Sequence, residues 1–119
     1  MTKARGEVLL VDDDATFRAV VGEVLKAEGC SIREAADGRE ALRLLRHHLP
    51  ELIIVDLMMP TMNGWDFYAE LVRDERLARV PVAIVSSIAG MRPHGAQAIE
   101  KPVTLAPLLA LLDSTLPSA

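Results

Sequence analysis

Three times along this chain a run of four apolar residues stops at a polar side chain: residues 8–11 before Asp12, residues 52–55 before Asp56, and residues 82–85 before Ser86. Short aliphatic runs bounded by Pro50, Pro60, Gly64 and Pro81 read as buried strands that feed loops. In an open parallel α/β sheet the carboxyl ends of the strands are where ligands and chemistry collect. A single Asp after a strand is more often a turn former or helix cap than a reactive group. Significance therefore rests on what the other strand ends carry.

The segments between these runs have helical spacing. From Ala15 to Glu28 the apolar residues Phe17, Val20, Val21, Val24 and Leu25 recur at the interval of a one-sided helix, and Gly29 offers a stop. Residues 30–35 form a short, half-exposed strand around Ile32. Asp37 is placed to cap a helix with the stripe Ala41, Leu42, Leu45 and Leu49, ending before Pro50. Residues 65–73 predict a third helix with Phe67, Leu71 and either Tyr68 or Val72 turned inward. Residues 88–96 contain Gly90, Pro93 and Gly95 and predict a loop or at most one helical turn. Residues 97–100 read as a last short strand, and Thr104 as the cap of a final Leu-rich helix carrying Pro107 in its first turn. Alternating strands and helices with short connections imply a doubly wound parallel sheet with helices on both faces.

With 119 residues, half of them hydrophobic, the chain is expected to form one domain over 1–119 with an aliphatic core, since aromatics make up only 3%. Its net charge of -4 and dispersed basic residues, such as Arg39, Arg43 and Arg46 on one helix face, give no reason to expect nucleic acid. Cys30 is the single cysteine and suits a small buried filler in a reducing compartment. The first residues lack the apolar core of a signal peptide, and no run approaches the ~20 apolar residues of a membrane-spanning helix. A cytoplasmic protein is expected.

If the sheet is parallel, Asp12 and Asp13, Asp56, and Ser86 with Ser87 converge on one edge, and Lys101 follows the last strand. Carboxylates crowded together raise one another's pKa unless a cation neutralises them. An all-oxygen donor set suits Mg²⁺ better than zinc. A metal and a lysine beside a carboxylate form a place where phosphoryl charge is stabilised.

Val-Asp-Asp near the start, Asp56-Leu-Met-Met-Pro, Asn63-Gly64, Ser86 and Lys101-Pro102 occur in the order found in response-regulator receiver domains, and the chain resembles that family over essentially its whole length. The resemblance implies a flavodoxin-like five-stranded sheet of order 2-1-3-4-5. It implies Asp56 as phosphoacceptor, Asp13 as direct Mg²⁺ ligand with Asp12 as its partner, and the backbone carbonyl of Met58 as a further ligand. Ser86 and Lys101 resemble the residues that contact the phosphoryl oxygens, and a cis peptide is implied before Pro102. Asp14 is expected to serve as a turn or cap residue. The implied partners are a histidine kinase or histidine phosphotransfer protein upstream and an unidentified protein downstream. The protein is expected to accept phosphate, and to promote its own phosphorylation and dephosphorylation, rather than to be an enzyme acting on a separate substrate.

The chain departs from the family where an aromatic residue usually stands three residues before the lysine, because Ala98 occupies that position. The interval from Ser86 to Lys101 is short by roughly two helical turns, which leaves the family's fourth helix short or absent. Met58 and Ile88, both apolar, occupy the two variable positions flanking the acceptor and predict slow loss of the phosphoryl group. An aspartate-nucleophile phosphohydrolase is disfavoured, since such enzymes need a second Asp two residues after the nucleophile and Met58 is there. A phosphorylation-independent scaffold is the alternative. His47, His48 and His94 are poor candidates for metal ligands. Trp65 is either near the acceptor loop or a packing residue.

Overall fold

Residues 5–88 and 90–117 are described by a computed structural model; Ala89 of the irregular segment and both chain ends lie outside the described residues. The elements are β1 (Gly6–Val11), α1 (Ala15–Ala27), β2 (Cys30–Ala35), α2 (Gly38–Leu45), β3 (Leu52–Asp56), α3 (Gly64–Arg73), β4 (Val82–Ser86), β5 (Gln97–Glu100) and α4 (Leu105–Thr115). All five strands are parallel and lie in the order β2-β1-β3-β4-β5, the flavodoxin-like arrangement.

The continuous apolar runs follow from burial on both faces of the sheet. Leu9, Val11, Ile53, Val55, Val82 and Ile84 face one way and pack with Ala41 and Leu45 of α2 and Phe67 and Leu71 of α3. Their neighbours Val8, Leu10, Leu52, Ile54, Ala83 and Val85 face the other way, onto Val21 and Leu25 of α1 and Leu108, Leu111 and Leu112 of α4. Each of these larger aliphatic side chains contributes about 1.5–3 kcal/mol by leaving water. The period of two makes the central strands intolerant of a register slip, which would exchange the two cores.

Three helices are capped as their side chains allow. Asp14 accepts hydrogen bonds from the N–H groups of Thr16 and Phe17, Asp37 from Glu40, and Asn63 from Asp66. Thr104 occupies the N-cap of α4 but makes no side-chain hydrogen bond there, so the expected cap is one of position only. Val20 is 61% exposed and does not belong to the inward stripe of α1. At about 100° per residue it lies about 120° round the helix from the midpoint of Val21 and Leu25. Leu49 is exposed too, because α2 ends at Leu45 and the helical spacing does not extend to it. Tyr68, not Val72, turns inward on α3. Cys30 is buried and unpaired at the start of β2.

The largest departure from a regular strand-helix alternation lies between β4 and β5. Among the described residues of 87–96 there is no helix, only bends, turns and irregular backbone. Tyr68 leans on the core beside this connection, and its hydroxyl stands 2.7 Å from where a Cβ at Gly95 would be. Gly95 has φ +96, so both its backbone conformation and this contact call for glycine. Ala98 is exposed on the edge strand β5. No helix among the described residues is long and apolar enough to cross a membrane.

Candidate phosphoryl-acceptor site

The chain leaves β1 toward β2 on one side and returns through β3 on the other, so β1 and β3 flank the point where strand order reverses. At such a point the connecting loops diverge and leave a crevice beyond the strand ends. Asp12 and Asp13 follow β1 directly, and Asp56 is the last residue of β3. One carboxylate oxygen from each of the three lies within 4.8 Å of the others.

Asp12 and Asp56 are 1% and 7% exposed, whereas Asp13 is open to solvent. Burial is the main cause that pushes both Asp12 and Asp56 above the ordinary carboxylate range. For Asp56 the neighbouring Asp12 charge adds to the rise, while Lys101 and a hydrogen bond from the Met58 backbone oppose it. For Asp12 the opposing groups are the Asp14 N–H, which donates to its Oδ1 at 2.9 Å, and Lys101. The acidic cluster is thus under-compensated by protein groups alone. Its three convergent carboxylates are an oxygen donor set of the kind a hard divalent cation such as Mg²⁺ takes, and the residues fit that ion.

Lys101 reaches back across the site from the end of β5. Its Nζ lies 3.4 Å from Oδ1 of Asp56 and 3.5 Å from Oδ2 of Asp12. The Lys101-Pro102 peptide is cis, as the resemblance implied. Ser86, only 5% exposed, ends β4, the strand beside β3. Its Oγ accepts a hydrogen bond from the Ile88 N–H at 3.0 Å, which leaves the hydroxyl proton free to donate. Asp14 is the α1 cap, as expected. Met58 and Ile88 are 72% and 53% exposed in the loops that rim the site. Trp65 is partly exposed in the first turn of α3, while His48 pairs with Glu7, at the end of β1 remote from Asp12.

Three residues support the site through contacts that the sequence did not show, although Gly64 stood in the Asn63-Gly64 motif and Phe17 in the stripe of α1. Arg18 donates from its guanidinium to the Asp12 carbonyl and pairs with Glu34 at 3.0 Å, fastening the end of β1. Gly64 packs so closely that an added Cβ would lie 2.8 Å from Leu57 Cα and 3.1 Å from the Asp56 carbonyl oxygen. Phe17, counted with the apolar stripe of α1, has Lys101 Nζ over its ring, 4.8 Å from the centroid. Helical spacing can place Phe17 on an inward face, but it carries no sign of what crosses from β5 to meet it.

A family model described as "Response regulator receiver domain" matches residues 8–113. Protein PilG of Pseudomonas aeruginosa is 31% identical over 119 residues, covering 94% of this chain and 88% of that protein. The gliding motility regulatory protein of Myxococcus xanthus is 41% identical over 85 residues, which is 71% of this chain and 11% of that protein. The chain spans between 10% and 22% of the length of the first three curated relatives it matches. A receiver domain of a Pseudomonas aeruginosa sensor histidine kinase, described with a magnesium ion coordinated in its active site cleft, superposes with a TM-score of 0.85 at 26% identity over 95% of this chain and 98% of that one.

Proposed function

Because this chain belongs to the response regulator receiver domain family, we propose that it accepts a phosphoryl group on Asp56 from a phosphohistidine of a histidine kinase or phosphotransfer protein. The single observation that carries this reading is the convergence of three strand ends on Asp56, with Lys101 3.4 Å from its carboxylate. A carboxylate oxygen of Asp56 attacks phosphorus, the P–N bond breaks, and the electron pair leaves on the donor imidazole. The product is an acyl phosphate.

The residues of this chain act by charge and position, which carry most of phosphoryl transfer. Lys101 moves from carboxylate to a phosphoryl oxygen, and the Ser86 hydroxyl donates to another. Burial of Asp56 keeps water from competing, while the same burial makes ionisation of the nucleophile depend on the cations beside it. Asp12, Asp13, Asp56 and the Met58 carbonyl would hold Mg²⁺. When bound, the ion would offset the carboxylate charge and draw electron density from the phosphoryl oxygens.

On this reading the chain is a signalling acceptor rather than an enzyme with a separate substrate, and its output is a protein-protein contact. The absence of a helix between β4 and β5 among the described residues, together with exposed Ala98, favours an output face different from one built on that helix and a switching aromatic. Incubation with acetyl phosphate and Mg²⁺ followed by intact mass measurement tests acceptance. A gain confined to Asp56 supports it, and no gain favours a phosphorylation-independent scaffold.

A further inference from the structure

We infer that Phe17 is a positioning residue that holds the Lys101 ammonium at the acceptor site through the face of its ring. The inference rests on the acceptor reading above for its functional consequence, and on geometry for the contact. Lys101 projects a four-carbon stem from the loop after β5, and free rotation of such a side chain would leave its charge undirected. Its two carboxylate neighbours stand at 3.4 and 3.5 Å, longer than a close charge-assisted hydrogen bond. Both attract the ammonium, and Asp12 accepts a long hydrogen bond from it, but their charge pulls it toward two oxygens at once and does not fix the stem. The Phe17 ring adds a third contact from the opposite element: its centroid is 4.8 Å from Nζ, inside the ~6 Å range in which a cation is drawn to an aromatic face.

The ring is itself anchored. Phe17 lies in the first turn of α1, its N–H donates to the capping Asp14 at 3.2 Å, and its side chain packs against the core beneath α1. With Val20 and Asp14 it forms one wall of a groove whose other wall is Lys101, Pro102 and Val103. A ring face attracts a cation over an area rather than along one direction. The ammonium can therefore slide from Asp12 toward a phosphoryl oxygen on Asp56 without losing its partner. A carboxylate partner in the same place would oppose that movement, and an aliphatic one would leave the charge facing apolar surface.

The test separates the ring's electron density from its bulk. Phe17 is replaced by 4-fluoro-, 3,5-difluoro- and 3,4,5-trifluorophenylalanine, which nearly preserve shape while weakening the negative face. The rate of phosphorylation by acetyl phosphate is followed by intact mass. The expected result is a graded fall across the series, a three- to tenfold loss in Phe17→Leu, and retention in Phe17→Tyr and Phe17→Trp. A rate that ignores fluorination overturns the inference. The contact is read separately from the ¹³Cε–¹H signals of the lysines, which are only Lys3, Lys26 and Lys101. Lys101, assigned with Lys101→Arg, should show a ring-current upfield shift that vanishes in Phe17→Leu; an unchanged signal overturns the contact. Because the spectrum needs no phosphoryl transfer, a wild-type protein that gains no mass refutes the acceptor reading while the lysine signals still decide the contact.

Discussion

The backbone N–H of Lys101 donates to the carbonyl of Ser86 at 2.7 Å. One hydrogen bond thus joins the residue that supplies the ammonium to the residue that supplies the hydroxyl, and the β4–β5 pairing of Ser86 with Glu100 continues it. The irregular connection over 87–96 leaves and re-enters the sheet outside this clasp. Its length does not set the spacing of Ser86 and Lys101 in space. Inserting four Gly/Ser residues between Arg92 and Pro93 should therefore leave the acetyl phosphate reaction rate within about twofold, and cost less than about 1 kcal/mol of stability in urea unfolding. A large rate loss at unchanged stability would show that the connection itself shapes the site.

Burial of Asp56 makes stability depend on pH in a definite sense. Its native pKa is raised above the ordinary value of 3.8, chiefly by desolvation and then by Asp12. The native state therefore binds the proton first as pH falls, and ionised Asp56 costs stability above its native pKa. The penalty shrinks as pH falls through that value and is gone below 3.8. Asp56→Asn should stabilise the metal-free protein at pH 7 by about 1 kcal/mol, or about 3–5 °C in Tm. The gain should disappear near pH 3.5, where both forms are neutral. Thermal melts of both proteins across this range, in chelator, check the sign; a variant less stable at pH 7 contradicts it.

Divalent metal should reverse that order. Saturating Mg²⁺ should raise the Tm of the wild type, with about 2.7 kcal/mol expected at a hundred times the dissociation constant. Asp13→Asn should lose most of the effect, since Asp13 is the exposed member of the carboxylate triad and the burial of Asp12 and Asp56 is unaltered. Equal stabilisation of both proteins would place the ion elsewhere.

Gly64 is fixed by contact rather than by its own φ. A Cβ 2.8 Å from Leu57 Cα meets backbone that cannot turn away, and the Gly64 N–H donates to the Leu57 carbonyl at 2.8 Å. Gly64→Ala should cost about 1–3 kcal/mol and displace the turn that follows Asp56. Urea unfolding gives the first quantity, and a slower acetyl phosphate reaction reports the second.

Met58 and Ile88 rim the site with apolar side chains that offer an attacking water no hydrogen bond. The acyl phosphate should persist for minutes or longer. Met58→Asn with Ile88→Arg should shorten it by roughly tenfold, a barrier change of about 1.4 kcal/mol. Decay followed by intact mass after removal of the donor measures both lifetimes, and loss within seconds in the wild type would refute this reading.

Much of this architecture was legible because the three central strands β1, β3 and β4 are near-continuous aliphatic runs, each closed by a polar residue. Asp12, Asp56 and Ser86 announce strand ends by interrupting Val and Ile, and parallel pairing then brings those ends together. The caps at Asp14 and Asp37 were visible for the same local reason. What was hidden depends on contacts between distant elements. Val20 and Leu49 satisfied helical spacing, yet one lies on the outer flank of α1 and the other beyond the end of α2. Tyr68 and Val72 were equivalent by spacing, and only the fold shows Tyr68 packed against the core with its hydroxyl beside Gly95. The Arg18 link to the Asp12 carbonyl and the Phe17 contact with Lys101 join residues whose pairing only the folded chain defines.

The most direct measurement remains the mass of the intact protein after reaction with acetyl phosphate in Mg²⁺. The acceptor reading predicts a gain of about 80 Da, one phosphoryl group, that is abolished in Asp56→Asn and strongly reduced in Lys101→Met. An unchanged mass in the wild type, or a gain that survives Asp56→Asn, would contradict it.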